Sequence, residues 1–94
     1  MQIKVTPKAE KDFHRIIEYL EQKWGKKAVE GFIQKTNDIL NLLKSYPLMG
    51  QKEFKDIRGF QLSPQKRILY RIVEEKLIIL AFFDVRQNPN HKLS

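Results

Sequence analysis

Residues 66–86 read KRILYRIVEEKLIILAFFDVR, and how this stretch folds decides the architecture. From 67 to 73 the chain alternates, with Arg67, Leu69, Arg71 and Val73 on one side and Ile68, Tyr70 and Ile72 on the other. That period of two predicts a strand with two distinct faces. Glu74-Glu75-Lys76 is a tight polar turn, and residues 77–83 follow as seven apolar residues in a row, continuing as a strand to Val85. Two such runs joined by a short turn predict a β-hairpin. The second strand, apolar on both sides, belongs in the interior of a sheet covered by another layer.

Upstream, Ser63-Pro64-Gln65 breaks the chain, and residues 57–62 form a strand candidate interrupted by Gly59, which marks a bulge or bend. Pro47-Leu48-Met49-Gly50 is a turn. Before it the spacing is helical. Ala28, Val29, Phe32, Thr36, Ile39, Leu40 and Leu43 make one apolar stripe, while Ala9, Phe13, Ile16, Ile17, Leu20 and Trp24 make another. Thr6-Pro7 supplies a helix start, a threonine N-cap with proline at the first helical position. Gly25 is placed to end the first helix, and Pro47 closes the second. So short a joint predicts an antiparallel helical hairpin, and Trp24 is expected in the core at its end. Residues 2–5 alternate as a short opening strand, and Asn88-Pro89-Asn90 ends regular structure. The predicted order is β-α-α-β-β-β over one domain, residues 1–94. It is an α+β fold, an antiparallel sheet with the hairpin on one face and the other face uncovered.

Composition narrows the function classes. The apolar share is 41%, too high for disorder. No run approaches the ~18 apolar residues of a membrane span, so no membrane partner is expected. The first five residues lack the apolar run of a secretory signal, which predicts a cytoplasmic, bacterial protein. The absence of cysteine excludes disulfides, zinc–thiolate sites and thiol catalysis; no metal or other cofactor is expected. Eighteen Lys and Arg against eleven Asp and Glu give +7, an excess that favours an anionic partner. Two arginines under a helical hairpin would be costly unless paired, so Arg67 and Arg71 are expected on the open face. Arg86 is placed with them, and Lys66 and Arg58 complete an expected basic binding face. Asp84, one pleat from Arg86, is expected to orient a guanidinium through a bidentate pair.

The opening strand with TPKAEKDFHRIIEYLEQKWG, then LLKSYPLMG, RGFQL and RILYRIVEEKLIILAFFDVRQNP, together resemble the RelE/ParE superfamily, toxins of type II toxin–antitoxin, or plasmid-stabilisation, systems. The resemblance covers nearly the whole chain and lies closer to ParE-like members. It implies a growth-inhibiting toxin held off by a cognate antitoxin that is acidic or partly disordered and wraps it. It also implies two kinds of target. RelE-like members cut messenger RNA on the ribosome, whereas ParE-like members poison DNA gyrase and are not nucleases. Arg67 and Arg86 match arginines of the RelE-like active site, and His91 is the nearest residue to its C-terminal acid–base group. Departures from that pattern count against cleavage. The strand reading RGFQLS lacks the nuclease lysine pair, and the C-terminal aromatic is absent. Arginine keeps its proton at neutral pH and is a poor base. A docking toxin directed at gyrase is the leading expectation. A ribosome-dependent endoribonuclease using Arg67, Arg86 and His91 is the alternative, followed by a non-toxic, antitoxin-binding member. Tyr70 reads as core rather than as an acid, His14 as structural or surface, and Val29 and Leu40 as spare apolar surface for a homodimer.

Overall fold

A computed structural model describes residues 1–86, in the order β1 (Gln2–Val5), α1 (Pro7–Trp24), α2 (Lys26–Ser45), β2 (Gln51–Phe54), β3 (Ile57–Gln61), β4 (Lys66–Val73) and β5 (Lys76–Asp84). Thr6 caps α1 as expected, its hydroxyl accepting the Ala9 N–H at 3.1 Å with Pro7 next in the chain. Gly25, at φ 89°, ends α1 by donating its N–H to the carbonyls of Leu20 and Glu21, and α2 begins at the next residue. No described helix is long and apolar enough to cross a membrane.

The α+β architecture with a helical hairpin over one face is as expected, but the sheet differs in two details. It has five strands in the order β1-β5-β4-β3-β2, and β1 runs parallel to β5, so the sheet is mixed rather than wholly antiparallel. The first and last strands are joined by no tight turn, so their direction is set by where the chain returns after two helices. The extra strand, β2, is short and mostly exposed, and it pairs with β3 across a turn in which Lys55 takes a positive φ of 51°. A polar segment of four residues carries almost no periodic signal.

β5 is interior, between β1 and β4. Its register with β4 slips by one residue: Tyr70 faces Ile79 but Leu69 faces Ala81, leaving Leu80 as the extra residue of a bulge. The bulge switches which side of β5 faces the helices. Leu77 and Ile79 point there before it, Phe82 and Asp84 after it, opposite Ile72, Tyr70, Ile68 and Lys66 on β4. Phe13 of α1 stacks on Phe32 of α2 (5.3 Å) and meets Phe82 in a tilted contact (5.1 Å), tying both helices to the sheet. Ile16, Leu20, Ile39, Leu43, Ile68, Tyr70, Leu77 and Ile79 complete the core. Val29 and Leu40 pack against this core, so the apolar surface left on α2 is Ile33 and Leu42 instead. Asp12, buried on α1, accepts the Phe82 N–H at 3.2 Å and the Lys8 ammonium at 2.8 Å. The paired stretch of β1 stops at Val5 opposite Ile79, so that carboxylate serves β5 past the end of its neighbour.

Candidate functional site

The five cations expected on one basic face are divided among three places. Arg67 and Arg71 do lie on the open side of the sheet, opposite Phe83 and Ile78. Each is held by an acid of the β2–β3 hairpin that the sequence reading did not anticipate. Arg67 pairs with Glu53, and both side chains are mostly buried. Arg71 donates from Nη2 and Nε to Asp56 Oδ2 at 2.6 and 3.2 Å in an exposed pair. The Arg71 hydrogen bond lowers the Asp56 pKa, outweighing the opposing effect of burial.

Gly59 makes the first pair geometrically available. It lies on β3 between Gln51 of β2 and Leu69 of β4, and a Cβ there would fall on the Glu53 carboxylate and the Arg67 guanidinium. The register slip in β2 between Lys52 and Phe54 brings Glu53 to this crossing. A glycine interrupting a strand was thus a readable signal, for a side-chain crossing rather than a bend.

Arg58 and Lys66 are on the other side, which corrects their placement. Arg58 faces the same way as Tyr70, its register partner, and donates to the carbonyls of Gly50 (2.7 Å) and Leu48 (3.1 Å). Tyr70 meets the same loop, its hydroxyl donating to the Pro47 carbonyl (2.7 Å) and accepting from the Gly50 N–H (2.9 Å). Burial raises the Tyr70 pKa, with the Gly50 N–H and Arg58 opposing it more weakly, so the phenol stays protonated at neutral pH.

Lys66 is buried over the Phe32 ring, with its ammonium 3.5 Å from Asp84 Oδ2. Its position was legible, because it shares parity with Ile68, Tyr70 and Ile72. Asp84 is likewise buried on the helix side, not on the open face. Its carboxylate accepts Arg86 N (2.8 Å) and Nε (3.1 Å) on Oδ1 and Nη2 (2.9 Å) on Oδ2. The bidentate Asp84–Arg86 geometry is therefore present, with Lys66 as a second cation on the same acid. Burial pushes the Asp84 pKa up, but the Arg86 hydrogen bonds and the Lys66 charge outweigh it and hold the carboxyl below its ordinary value. Those hydrogen bonds in turn raise the Arg86 pKa. His91 lies outside the described residues. Trp24, expected in the core, is exposed, as is His14.

The arrangement is a set of arginines fixed by internal acceptors. It can present charge and planar hydrogen-bond donors, and Arg86 keeps 44% of its side chain exposed to do so. Among the described residues, no three His, Asp or Glu side chains converge as a metal site.

Comparison with known proteins is consistent with this fold. The model for the ParE toxin of the type II toxin–antitoxin system parDE matches residues 3–89, and the chain belongs to that family. No curated protein sequence matches it. The chain is structurally similar to a chain of the chromosomal ParDE TA system from P. aeruginosa, with TM-score 0.77, 19% identity and 89% of this chain and 95% of that one covered. It is similar also to a YoeB/ParE toxin from Agrobacterium tumefaciens, with TM-score 0.65, 16% identity and coverage of 89% and 98%. A chain of the E. coli DinJ–YafQ complex matches at TM-score 0.60 and 18% identity, with 93% and 96% covered. Membership makes this chain the toxin half of a toxin–antitoxin pair, with a cognate antitoxin as its partner.

Proposed function

We propose that the toxin arrests growth by docking to its target, with DNA gyrase as that target, rather than by cutting RNA, and that it acts in the bacterial cytoplasm. One observation carries this reading. No described group at the sheet site is suited to take a proton from a ribose hydroxyl and return it. Arg67, Arg71 and Arg86 are ion-paired, Lys66 is buried against Asp84, and Tyr70 is buried with its hydroxyl committed to a loop. Arginines tied in this way are rigid donors suited to recognition, not to proton transfer.

The cognate antitoxin has a natural seat at the groove of about 360 Å³ lined by Val5, Phe13, Leu40 and Phe82. An antitoxin segment there would cover apolar surface next to Glu10 and His14. Two parallel assays test the reading on antitoxin-free toxin. Supercoiling by purified gyrase should fall, while a defined message on ribosomes, read by primer extension, should stay intact. Codon-registered cuts that disappear in Arg86→Ala would replace the docking toxin with the ribosome-dependent nuclease, and would direct attention to His91.

A further inference from the structure

The only tryptophan of the chain stands in the open. Trp24, the last residue of α1, is 65% exposed. A large ring left in water forgoes burial that most folds take. Lys23, Lys26 and Lys27 surround it in sequence, all exposed, and none forms an ion pair among the described residues. Lys26 and Lys27 lie in the first turn of α2, which holds no acidic residue. Cations there oppose the helix dipole, so they do not serve helix stability. The joint itself is stiff, because Gly25 alone links the two helices, with its N–H taken by Leu20 and Glu21. Open space surrounds it.

The tip also has a defined position in the molecule. α1 starts beside β5, where the Thr6 N–H meets the Ile79 carbonyl, and passes Phe82 at Asp12 and Phe13. Trp24 lies eleven residues, roughly 16 Å at the rise of an α-helix, beyond Phe13 in this same direction, so the indole and the three lysines project toward the Arg86 end of the sheet.

We propose that this tip is a contact for single-stranded nucleic acid, in which the Trp24 indole stacks on an unpaired base and Lys23, Lys26 and Lys27 lie on the adjoining phosphates. Stacking uses a flat face that every base offers, and lysine meets phosphate as a point charge without demanding a fixed angle. A rigid aromatic plate among lysines suits that pairing. A paired duplex hides its base faces. An acidic peptide would match the lysines but offer the indole no flat partner, and a bilayer contact would want further apolar residues where Gln22 and Gly25 stand. The inference goes beyond the docking-toxin reading, and its readout is binding, independent of growth arrest.

The test is titration of the whole chain with a short single-stranded oligonucleotide, following tryptophan fluorescence, which reports Trp24 alone. The expected result is quenching that weakens with salt at a log–log slope of about −2, the value for three phosphates on a single strand. Trp24→Ala should bind a labelled oligonucleotide roughly tenfold more weakly by anisotropy. Lys26→Gln with Lys27→Gln should flatten the slope to about −0.7. All the substitutions are on exposed surface, and circular dichroism checks that each variant is folded. Absence of quenching with any oligonucleotide, or a Trp24→Ala variant that binds like the parent, overturns the proposal. Equal quenching by polyglutamate would make the tip a site for acidic protein segments. A blue shift confined to anionic vesicles would make it a membrane contact. Either result would also overturn it.

Discussion

The end of the sheet and the tip of the helical hairpin are both rich in cations, and they use them in opposite ways. On the sheet the arginines each find an acceptor within the chain: Glu53 for Arg67, Asp56 for Arg71, Asp84 for Arg86 and the Leu48 and Gly50 carbonyls for Arg58. At the tip the cations are lysines that form no ion pair among the described residues, beside an exposed tryptophan. A planar guanidinium can satisfy fixed acceptors with several directed bonds at once, which makes arginine a structural tie. Lysine ammoniums on mobile stems remain hydrated and available. The excess positive charge of the chain is thus a poor guide to where an anion binds, because the most conspicuous cations are already neutralised.

If sheet cations are structural and tip cations are not, substitutions should separate them by stability. The largest effect is expected at Asp84→Ala, which leaves the buried Lys66 ammonium without its counter-charge. A loss of about 3 kcal/mol follows, measured as a fall in unfolding midpoint on the order of 15 °C for a chain of this size. A midpoint unchanged within error would show that Lys66 escapes to solvent and that the sheet cluster is no more structural than the tip. Next is Gly50→Ala. Its Cβ would approach Tyr70 Cε1 to 2.7 Å and Cζ to 2.9 Å, so the ring or the loop must move. Overpacking of this kind costs about 2 kcal/mol. Tyr70→Phe should destabilise by about 1 kcal/mol by leaving the Gly50 N–H unmet, as read by urea denaturation. Smallest are Lys26→Gln and Lys27→Gln, expected to leave the midpoint unchanged or slightly raised because they relieve charge opposed to the helix dipole.

Acid sharpens the same contrast. The Asp84 pKa is held below its ordinary 3.8 in the fold, so protonation favours the unfolded chain. Its contribution to stability is complete above the unfolded value and is lost as pH falls through the lower folded one. Melting of the parent from about pH 5 to about pH 2 should therefore show a decline that is shallower in Asp84→Asn. A parallel decline in both would assign acid sensitivity to other carboxylates, with Asp56, whose pKa is also lowered, the next to test.

Much of this was legible in the residues. The spacing of 3 and 4 in the two helices, Thr6-Pro7 and Gly25 at their ends, and the hairpin over residues 66–84 all appear where periodicity and capping place them. Parity along β4 already set Lys66 with Ile68 and Tyr70, so its burial could have been read. Arg58, Asp84 and Trp24 were misplaced for different reasons. Arg58 turns to a loop eight residues upstream at Gly50, a partner no local pattern names. Asp84 changed sides because a bulge at Leu80 shifted the parity of β5, and a bulge inside an unbroken apolar run leaves no trace in the pattern. Trp24 continues the helical stripe in sequence but extends past the sheet that buries the rest of it.

By itself, then, the sequence determined the element order, the helical hairpin, the apolar stripes and the family, because these rest on local periodicity, capping and turn chemistry. Only the tertiary structure decided the direction of β1, the crossing of Glu53 over Gly59 to Arg67, and which cations were left free. Those depend on strands meeting across long sequence separations, and one inserted residue in a strand reverses the face of every side chain beyond it.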